Sequence, residues 1–237
     1  MIRLDKELHA RGLAKSRSVA AALIADGKVT VNGVVVTKPA LAVSDGDCLQ
    51  VSDYPKYVSR GGYKLGHALA HFGIDVAGKI CLDAGASTGG FTDCMLQSGA
   101  RRVYAVDVGT SQLDARLQGD SRVVSLEQCD IRTATLPEKA DFAAADVSFI
   151  SVKLILPEVR RLIQASAHVI VLVKPQFEYG RKHKGVITDR KVHEKIVADV
   201  IAFAEGCGFA VCGVCESPIL GKSGNKEFLV DLLVNSE

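Results

Sequence analysis

The chain has 237 residues, of which 48% are hydrophobic and 24% are charged, and its formal net charge is +2. This composition predicts a globular protein with one large domain, or with one ordinary domain and a small one. No apolar run approaches the ~18 residues that a membrane-spanning helix needs, and the first residues lack the apolar stretch of a signal peptide. We therefore expect a cytoplasmic protein without a membrane partner.

Residues 1–52 have the pattern of a small α+β module. A helix-compatible segment ends at Gly12, and Ser16 can cap a second helix that ends at Gly27. Valine-rich runs then surround an Asn-Gly pair, which predicts a β-hairpin. This end of the chain is also its basic part, because the first 62 residues carry nine Lys and Arg against six Asp and Glu.

Most of the cations of this module lie on and around its helices. A solvated charged face is the usual explanation of such a spread. The run from Gly12 to Gly33, however, resembles the RNA-binding domain of the ribosomal protein S4 type, in which the helical face meets phosphates of folded RNA. The resemblance implies RNA contacts by Arg3, Lys6, Arg11, Lys15 and Arg17.

Residues 53–62 contain a proline, two tyrosines and paired glycines, which predicts a stiff linker. The amphipathic segment from Tyr63 to Phe72 predicts a helix that begins a second domain, over residues 63–237. This helix places Lys64 beside its buried stripe, where a lysine usually extends its ammonium group to solvent.

Residues 80–93 contain the most informative pattern. An apolar run too short for a helix meets Asp83, and a turn of small residues and a helix-compatible segment follow. In an open α/β sheet, ligands bind beyond the carboxyl end of such a strand. An ordinary glycine-rich turn is the alternative, but Asp107 ends the next apolar run and suits a carboxylate that binds ribose hydroxyls. The pattern therefore favours a nucleoside cofactor.

The glycine spacing distinguishes between cofactors. A dinucleotide site requires G-x-G-x-x-G, which Gly85, Gly89 and Gly90 do not fit. The order Asp83-x-Gly85-x-x-x-Gly89 resembles motif I of the S-adenosylmethionine-dependent methyltransferases, whose cofactor carries a cationic sulfonium that suits carboxylate and carbonyl oxygens. The cofactor-binding residues expected on this basis are Asp83, Gly85, Ala86, Ser87, Thr88, Gly89, Gly90, Phe91, Asp107, Asp130 and Asp146.

From residue 80 onwards, apolar strand-like runs alternate with helical segments. This alternation predicts an α/β, Rossmann-like doubly wound sheet. The predicted strands are 80–83, 102–107, 122–126, 141–146, 168–174, 209–216 and 226–234. The predicted helices between them include 90–98, 111–117, 151–164 and 189–206.

Two of these strands end in a polar residue, Asp146 and Lys174, and both should project into the cofactor crevice. A structural ion pair would explain them equally well. The last strand, however, begins with an acid. The order of these residues along the chain resembles the K-D-K-E tetrad of the FtsJ-like RNA 2′-O-methyltransferases, formed here by Lys64, Asp146, Lys174 and Glu227.

The tetrad has a chemical rationale. Methyl transfer is an in-line displacement, so the site must align a weakly acidic ribose hydroxyl and help to remove its proton. A lysine flanked by carboxylates can hold that hydroxyl, and burial near a second cation makes a lysine easier to deprotonate. We assign Lys174 as the base or hydroxyl activator, which Lys64 and Glu227 orient. Asp146 would hold Lys174 and line the cofactor.

Over residues 2–234 the chain resembles the TlyA family of rRNA 2′-O-methyltransferases. The motifs that carry the resemblance are VSRGGYKL at 58–65, LDAGASTGGFT at 82–92, DVSFIS at 146–151, VKPQFE at 173–178 and SGNKEF at 223–228. It implies methylation of a cytidine ribose in 16S rRNA, or in both 16S and 23S rRNA. The sequence stops after its last strand, as in the shorter members restricted to the small subunit. Further RNA contacts are expected at Arg60, Arg181 and Lys182, although solvation explains the basic loop at 181–184 equally well.

Three other classes of protein are alternatives. A membrane-active haemolysin would need a spanning helix or a strongly amphipathic apolar face. A nicotinamide oxidoreductase shares the fold class but not the glycine spacing. A ribosome assembly factor with a non-catalytic methyltransferase domain would not need the tetrad, which is intact.

Seven scattered cysteines, an odd number, do not suggest a disulfide framework. Cys212 and Cys215 form a C-x-x-C, but they lie in a strand-like run, where residues three apart point to opposite faces. Cys207 alone does not supply the second pair that a zinc site would want. We therefore expect buried strand cysteines and no metal.

Overall fold

The computed structural model describes residues 2–51, 56–179 and 185–235 and, except for Val35, their side chains. The chain forms two compact units, Met1–Lys56 and Tyr57–Glu237. Within the described ranges, no helix is both long enough and apolar enough to cross a membrane.

The first unit is a small α+β module. Strand β2 pairs antiparallel with β3 and β5, and β1 pairs antiparallel with β4. As predicted, Ser16 caps the second helix, because its hydroxyl accepts a hydrogen bond of 3.2 Å from the amide of Val19. The elements are β1 (Ile2–Arg3), α1 (Leu4–Ala10), α2 (Arg17–Ala25), β2 (Val29–Val31), β3 (Val34–Val36), β4 (Ala42–Val43) and β5 (Leu49–Val51).

The second unit contains a seven-stranded sheet with helices on both faces, as the sequence predicts. Its elements are α3 (Gly61–Phe72), β6 (Ile80–Ala84), α4 (Gly90–Gln97), β7 (Arg102–Val106), α5 (Ala115–Gln118), β8 (Val123–Leu126), β9 (Ala140–Ala145), a 3₁₀ turn (Val152–Leu154), α6 (Leu156–Leu162), β10 (Ile163–Val173), α7 (Pro175–Glu178), α8 (Arg190–Gly206), β11 (Phe209–Glu216) and β12 (Phe228–Val234).

The strand order is β11-β12-β10-β9-β6-β7-β8, and β12 runs in the direction opposite to the other six strands of this sheet. From β6, one half of the sheet continues through β7 to β8, whereas the other half continues from β9 to β10. The strand order therefore reverses between β6 and β9. Ligands of doubly wound sheets bind outside the carboxyl ends of the strands at such a switch point.

Successive side chains of β10 point alternately to the two faces of the sheet, which pack against different helices. Val169, Val171 and Val173 pack into a core with α6 and α8, which we call the α8 face. Ile170 and Leu172 pack with α3 and α4 on the other side, which we call the α3 face. Because β10 is covered on both faces, its sequence is a continuous apolar run.

Two predicted helices differ from the structure. The helix expected over 151–164 begins as a 3₁₀ turn and ends at Leu162, since Ile163 already pairs with Ala140 of β9 before an irregular step in the strand. Pairing with β9 overrides the helical pattern there. The helix expected over 111–117 is shorter in the structure and begins only after Asp114. The carboxylate of Asp114 accepts a hydrogen bond from the amide of Arg116.

The positions of Cys212 and Cys215 also differ from expectation. The pairing of β11 with β12 shifts by one residue between Val211 and Gly213, which changes the face that the following side chains occupy. Phe209 and Val211 pack on the α8 face, whereas Cys215 packs on the α3 face. Simple alternation along the strand is therefore wrong here. Cys212 is exposed and Cys215 is half-buried, so the expectation of buried cysteines is also wrong for Cys212.

The segment predicted as a linker over 53–62 includes residues 53–55, which lie outside the described part of the chain. Tyr57 and Val58, by contrast, are buried in the second unit. The Tyr57 ring lies against Gly62 and Gly66 of α3. The amide of Val58 donates a hydrogen bond of 2.7 Å to the carboxylate of Asp93 in α4.

We predict that Gly62→Ala destabilises the protein. A Cβ atom at this position would lie 2.3 Å from Cγ of the buried Tyr57 ring, so overpacking should lower the free energy of unfolding by about 1–3 kcal/mol. Gly206→Ala is the matched control, because a Cβ atom there meets nothing within 4 Å. This helical control should be neutral or stabilising by up to about 1 kcal/mol. Urea unfolding tests both, and equal effects would contradict the packing argument.

Candidate functional site

The candidate site lies at the switch point, where the loop after β6 meets the end of β9. Gly85 has a φ of +88°, and a Cβ atom there would lie 2.7 Å from the carbonyl oxygen of Asp146. Only glycine permits this approach of one backbone to the other. The loop after β6 is therefore seated directly against the first residue beyond β9.

Asp107, at the end of β7, fixes the conformation of the same loop. One carboxylate oxygen accepts a hydrogen bond of 2.8 Å from the amide of Ser87, and the other accepts one of 2.7 Å from Gly109. Ser87 has a φ of +47°, which is uncommon for a residue with a side chain. The hydrogen bond that the Ser87 amide donates to Asp107 helps to hold Ser87 in this conformation.

A cavity of about 420 Å³ opens beside this loop. Its lining contains both carboxylates and apolar side chains, which include Val108, Ile131 and Val147. A hydrogen bond from Arg132 lowers the pKa of Asp130 to about 2, so that this carboxylate is ionised at neutral pH. The acidic residues that line the cavity are Asp107, Asp130 and Asp146.

A second cavity, of about 160 Å³, adjoins the first and shares Gly85, Ser87, Asp146 and Ser148 with it. The ammonium-bearing side chains of Lys64 and Lys174 both line it. The structure therefore brings the two predicted lysines to one place, next to the larger acidic cavity. Its other lining residues are Ser59, Gly61, Ala86, Thr88, Gly90 and Phe91.

The four residues of the tetrad form two ion pairs. Nζ of Lys174 lies 2.5 Å from Oδ1 of Asp146, and Nζ of Lys64 donates a hydrogen bond to Oε2 of Glu227. Lys64, Lys174 and Glu227 are buried. Each buried cation thus has a carboxylate partner, as buried charges require.

Lys174 has a second polar partner that the sequence analysis did not predict. Its Nζ donates a hydrogen bond of 2.7 Å to Oγ of Ser148 and lies 5.8 Å from the centre of the Phe177 ring. Ser148 belongs to the DVSFIS motif at 146–151, and this motif is the sequence feature from which its role could have been inferred. Glu178 holds the end of this motif by accepting hydrogen bonds from the Ser151 hydroxyl (2.5 Å) and the Val152 amide (2.8 Å).

Two residues expected to bind the cofactor line neither cavity. Asp83 is fully buried, and its carboxylate accepts a hydrogen bond of 2.6 Å from the hydroxyl of Thr92 in α4. Gly89, with a φ of +90°, faces the side chains of Leu113 and Leu117. Asp83 therefore connects β6 to α4, and Gly89 lets the loop pack against two leucines.

The expected RNA-binding residues of the first unit have different surroundings. Arg3 and Arg17 both bond to the buried carboxylate of Asp5, at 3.0 and 3.2 Å, and both remain exposed. These bonds, that of Arg3 first, lower the pKa of Asp5 to about 2. Arg11 bonds to Glu7 and to three backbone carbonyls of the turn at 44–47, so its guanidinium has a structural role.

The remaining cations divide into three groups. Lys6 is exposed and Lys15 is half-buried. Arg60, in the second unit, donates a hydrogen bond to the carbonyl of Leu220. Arg181 and Lys182 lie outside the described residues.

Comparison with known proteins shows the family to which the chain belongs. The family of FtsJ-like methyltransferases matches residues 57–232, and the S4 domain matches residues 2–48. The TlyA 16S/23S rRNA (cytidine-2′-O)-methyltransferase of Mycobacterium tuberculosis is 45% identical, over 99% of this chain and 91% of its own. The TlyA 23S rRNA (cytidine-2′-O)-methyltransferase of Campylobacter jejuni is 37% identical, over 76% of this chain and 72% of its own.

A solved structure is similar over nearly the whole chain. A Streptococcus thermophilus protein described as a hemolysin has a TM-score of 0.78 and 44% identity, over 99% of this chain and 89% of its own. The fold and the site together define a methyltransferase with an S4-type RNA-binding domain. The chain belongs to the TlyA family, and the predicted fold class, family and enzyme class are confirmed.

We predict that Asp83 makes stability fall as the pH rises. Burial raises its pKa from 3.8 to about 7, so its stabilising contribution is present below about pH 4 and is lost as the pH passes 7. Asp83→Asn removes this titration and keeps an oxygen for Thr92. The stability of the variant relative to the wild type should therefore increase between pH 4 and pH 8, by up to about 4 kcal/mol.

Unfolding by denaturant at a series of pH values measures this difference. Asp130→Asn is the control, because the pKa of Asp130 is lowered to about 2 and the effect of its substitution should be constant above pH 5. A difference between Asp83→Asn and wild type that does not change with pH would contradict the prediction.

Proposed function

We propose that this protein transfers a methyl group from S-adenosylmethionine to the 2′-hydroxyl of a cytidine in ribosomal RNA, with the 16S rRNA of the small subunit as its target. The observation that carries the proposal is the pair of cavities. A larger acidic cavity adjoins a smaller one lined by two lysines, each paired with a carboxylate. The names of the TlyA relatives support the cytidine ribose as substrate. An rRNA substrate implies a cytoplasmic location.

The residues of the larger cavity fit S-adenosylmethionine. Its volume, about 420 Å³, lies in the range of ligand pockets. Gly85 leaves open a cradle that a Cβ atom would close. Asp107 can accept bonds from ribose hydroxyls, since each of its oxygens has a further lone pair. Asp130, which also lines this cavity, would face the adenine, and Asp146 is a carboxylate that the two cavities share.

When bound, S-adenosylmethionine supplies an electrophilic methyl group. The residues of the smaller cavity would position the ribose hydroxyl and take its proton. Nζ of Lys174, in its unprotonated form, is the proton acceptor, and Asp146 and Ser148 hold that atom in place. Asp146 then stabilises the ammonium group that results. Lys64, fixed by Glu227, contributes a second donor to the same cavity.

Two other functions make different predictions. A ribosome assembly factor with a non-catalytic domain would bind rRNA without methyl transfer, although a non-catalytic site has no need of two buried lysine–carboxylate pairs. A haemolysin would lyse membranes. The 16S preference rests on the family resemblance, and the relative from Campylobacter jejuni carries a 23S name. Mapping of the modified ribose decides between the two targets.

We predict that Lys174→Ala abolishes methyl transfer but not cofactor binding. Removing the base should lower kcat by about 10²–10⁴-fold, whereas the larger cavity does not include Lys174. Transfer of labelled methyl to naked rRNA and to each subunit, with calorimetric titration of S-adenosylmethionine, measures both. Lys226→Ala is the control, because Lys226 is exposed and pairs with Glu216.

Retained transfer in Lys174→Ala, or loss of transfer and cofactor binding together, would contradict this role. Absence of methyl transfer by the wild type to any rRNA, while the cofactor binds, would favour the assembly factor.

We predict that Arg3→Ala and Arg17→Ala each weaken binding of rRNA. Asp5 holds both guanidinium groups in place while they remain exposed, which suits phosphate contacts. Each substitution should reduce affinity about tenfold and lower the slope of log K against log salt by about 1. Arg102→Ala is the control, because Arg102 is also exposed and paired with an acid, Glu138. Equal losses in all three variants would contradict a specific role of the first unit.

A further inference from the structure

The β-bulge in β11 changes which face of the sheet Cys215 occupies. Without it, alternation would place Cys215 on the α8 face together with Phe209 and Val211. The register shift between Val211 and Gly213 places it on the α3 face. Bulges commonly re-aim a side chain next to a functional site.

Helix α3 lies close to β11 at this point. A Cβ atom at Gly213 would lie 2.7 Å from the Phe72 ring, so glycine permits the approach. His67 and His71 are four residues apart on α3 and therefore share a side of the helix. Their rings are nearly parallel, with centroids 5.8 Å apart. One ligand atom from each of His67, His71 and Cys215 lies within 4.8 Å of the other two.

We propose that His67, His71 and Cys215 bind a divalent transition-metal ion, and that Zn²⁺ is the ion. Two imidazole nitrogens and one thiolate are three of the four ligands of a tetrahedral zinc site, and water can be the fourth. Within the ranges that the structure describes, the three side chains take part in ring and packing contacts but in no hydrogen bond or ion pair. Their donor atoms are therefore available to an ion.

Binding needs no oxidant. A cysteine thiol is ordinarily protonated at neutral pH. Metal binding breaks the S–H bond, forms a metal–sulfur bond and releases one proton to solvent, while each histidine binds through a neutral ring nitrogen. The ion connects α3 to the edge strand of the sheet. His67 is one helical turn beyond Lys64, so the connection reinforces the helix that carries this lysine.

A second cluster, formed by His168, Cys212 and Asp231, provides matched controls. Here Nδ1 of His168 already bonds to both carboxylate oxygens of Asp231, at 2.9 and 3.2 Å. Internal hydrogen bonds account for that pair without a metal. Cys212→Ser and His168→Asn therefore replace one cysteine and one histidine of the sheet, the same residue types as the proposed ligands, and leave those ligands unchanged.

The test uses the full-length chain, freed of any affinity tag and treated with chelator. Calorimetric titration with ZnCl₂ should show one ion per chain, with no uptake of Mg²⁺. A hundredfold excess over Kd should raise Tm by about 5 °C or more. Bound Co²⁺ should show a sulfur-to-cobalt charge-transfer band. Cys215→Ser should remove this band, and His71→Asn should lower Zn²⁺ affinity by about tenfold or more while the band persists.

Cys212→Ser and His168→Asn should bind Zn²⁺ as the wild type does. No uptake by the wild type, unchanged affinity in His71→Asn, or loss of binding in the control variants would overturn the proposal. Because His71 is exposed, His71→Asn decides the question even where Cys215→Ser fails to fold. Loss of binding in the controls alone would assign the metal to the second cluster.

Discussion

The close approach of two backbones, at Gly85 and Asp146, is the constraint on which the site depends. A side chain at the first position would push the loop after β6 away from the end of β9. Both cavities share these two residues, and Asp146 also holds Lys174. One steric condition at the switch point thus determines the shape of both cavities and where Lys174 is held relative to them.

Several features of the fold and of the candidate site could be predicted from the sequence. Parallel strands that are buried on both faces appear as short apolar runs, and a polar residue at the end of such a run lies at the ligand-binding edge of the sheet. For that reason Asp107, Asp146 and Lys174 were placed correctly at the carboxyl ends of their strands. The helix cap at Ser16 is equally local, because it depends only on residues within one turn.

Other features depend on contacts between distant segments and could not be predicted. The sequence indicated that Asp146 holds Lys174, but it did not show that Glu227 pairs with Lys64, since β12 lies between β10 and β11 although it follows both. Nor does an apolar run show that Asp83 points into the core, because both faces of β6 are buried. The register shift in β11 is invisible to an argument from alternation, which assumes an unbroken strand.

The place of β12 in the sheet also has a consequence for biosynthesis. It is inserted between two strands that leave the ribosome before it, and Glu227 precedes its first residue. Until this segment has been synthesised, β11 has no partner strand and Lys64 has no buried counter-ion. A nascent chain can therefore form the loop after β6 before β12 has been synthesised, whereas its smaller cavity acquires the charge of Glu227 only once the segment that carries β12 is present.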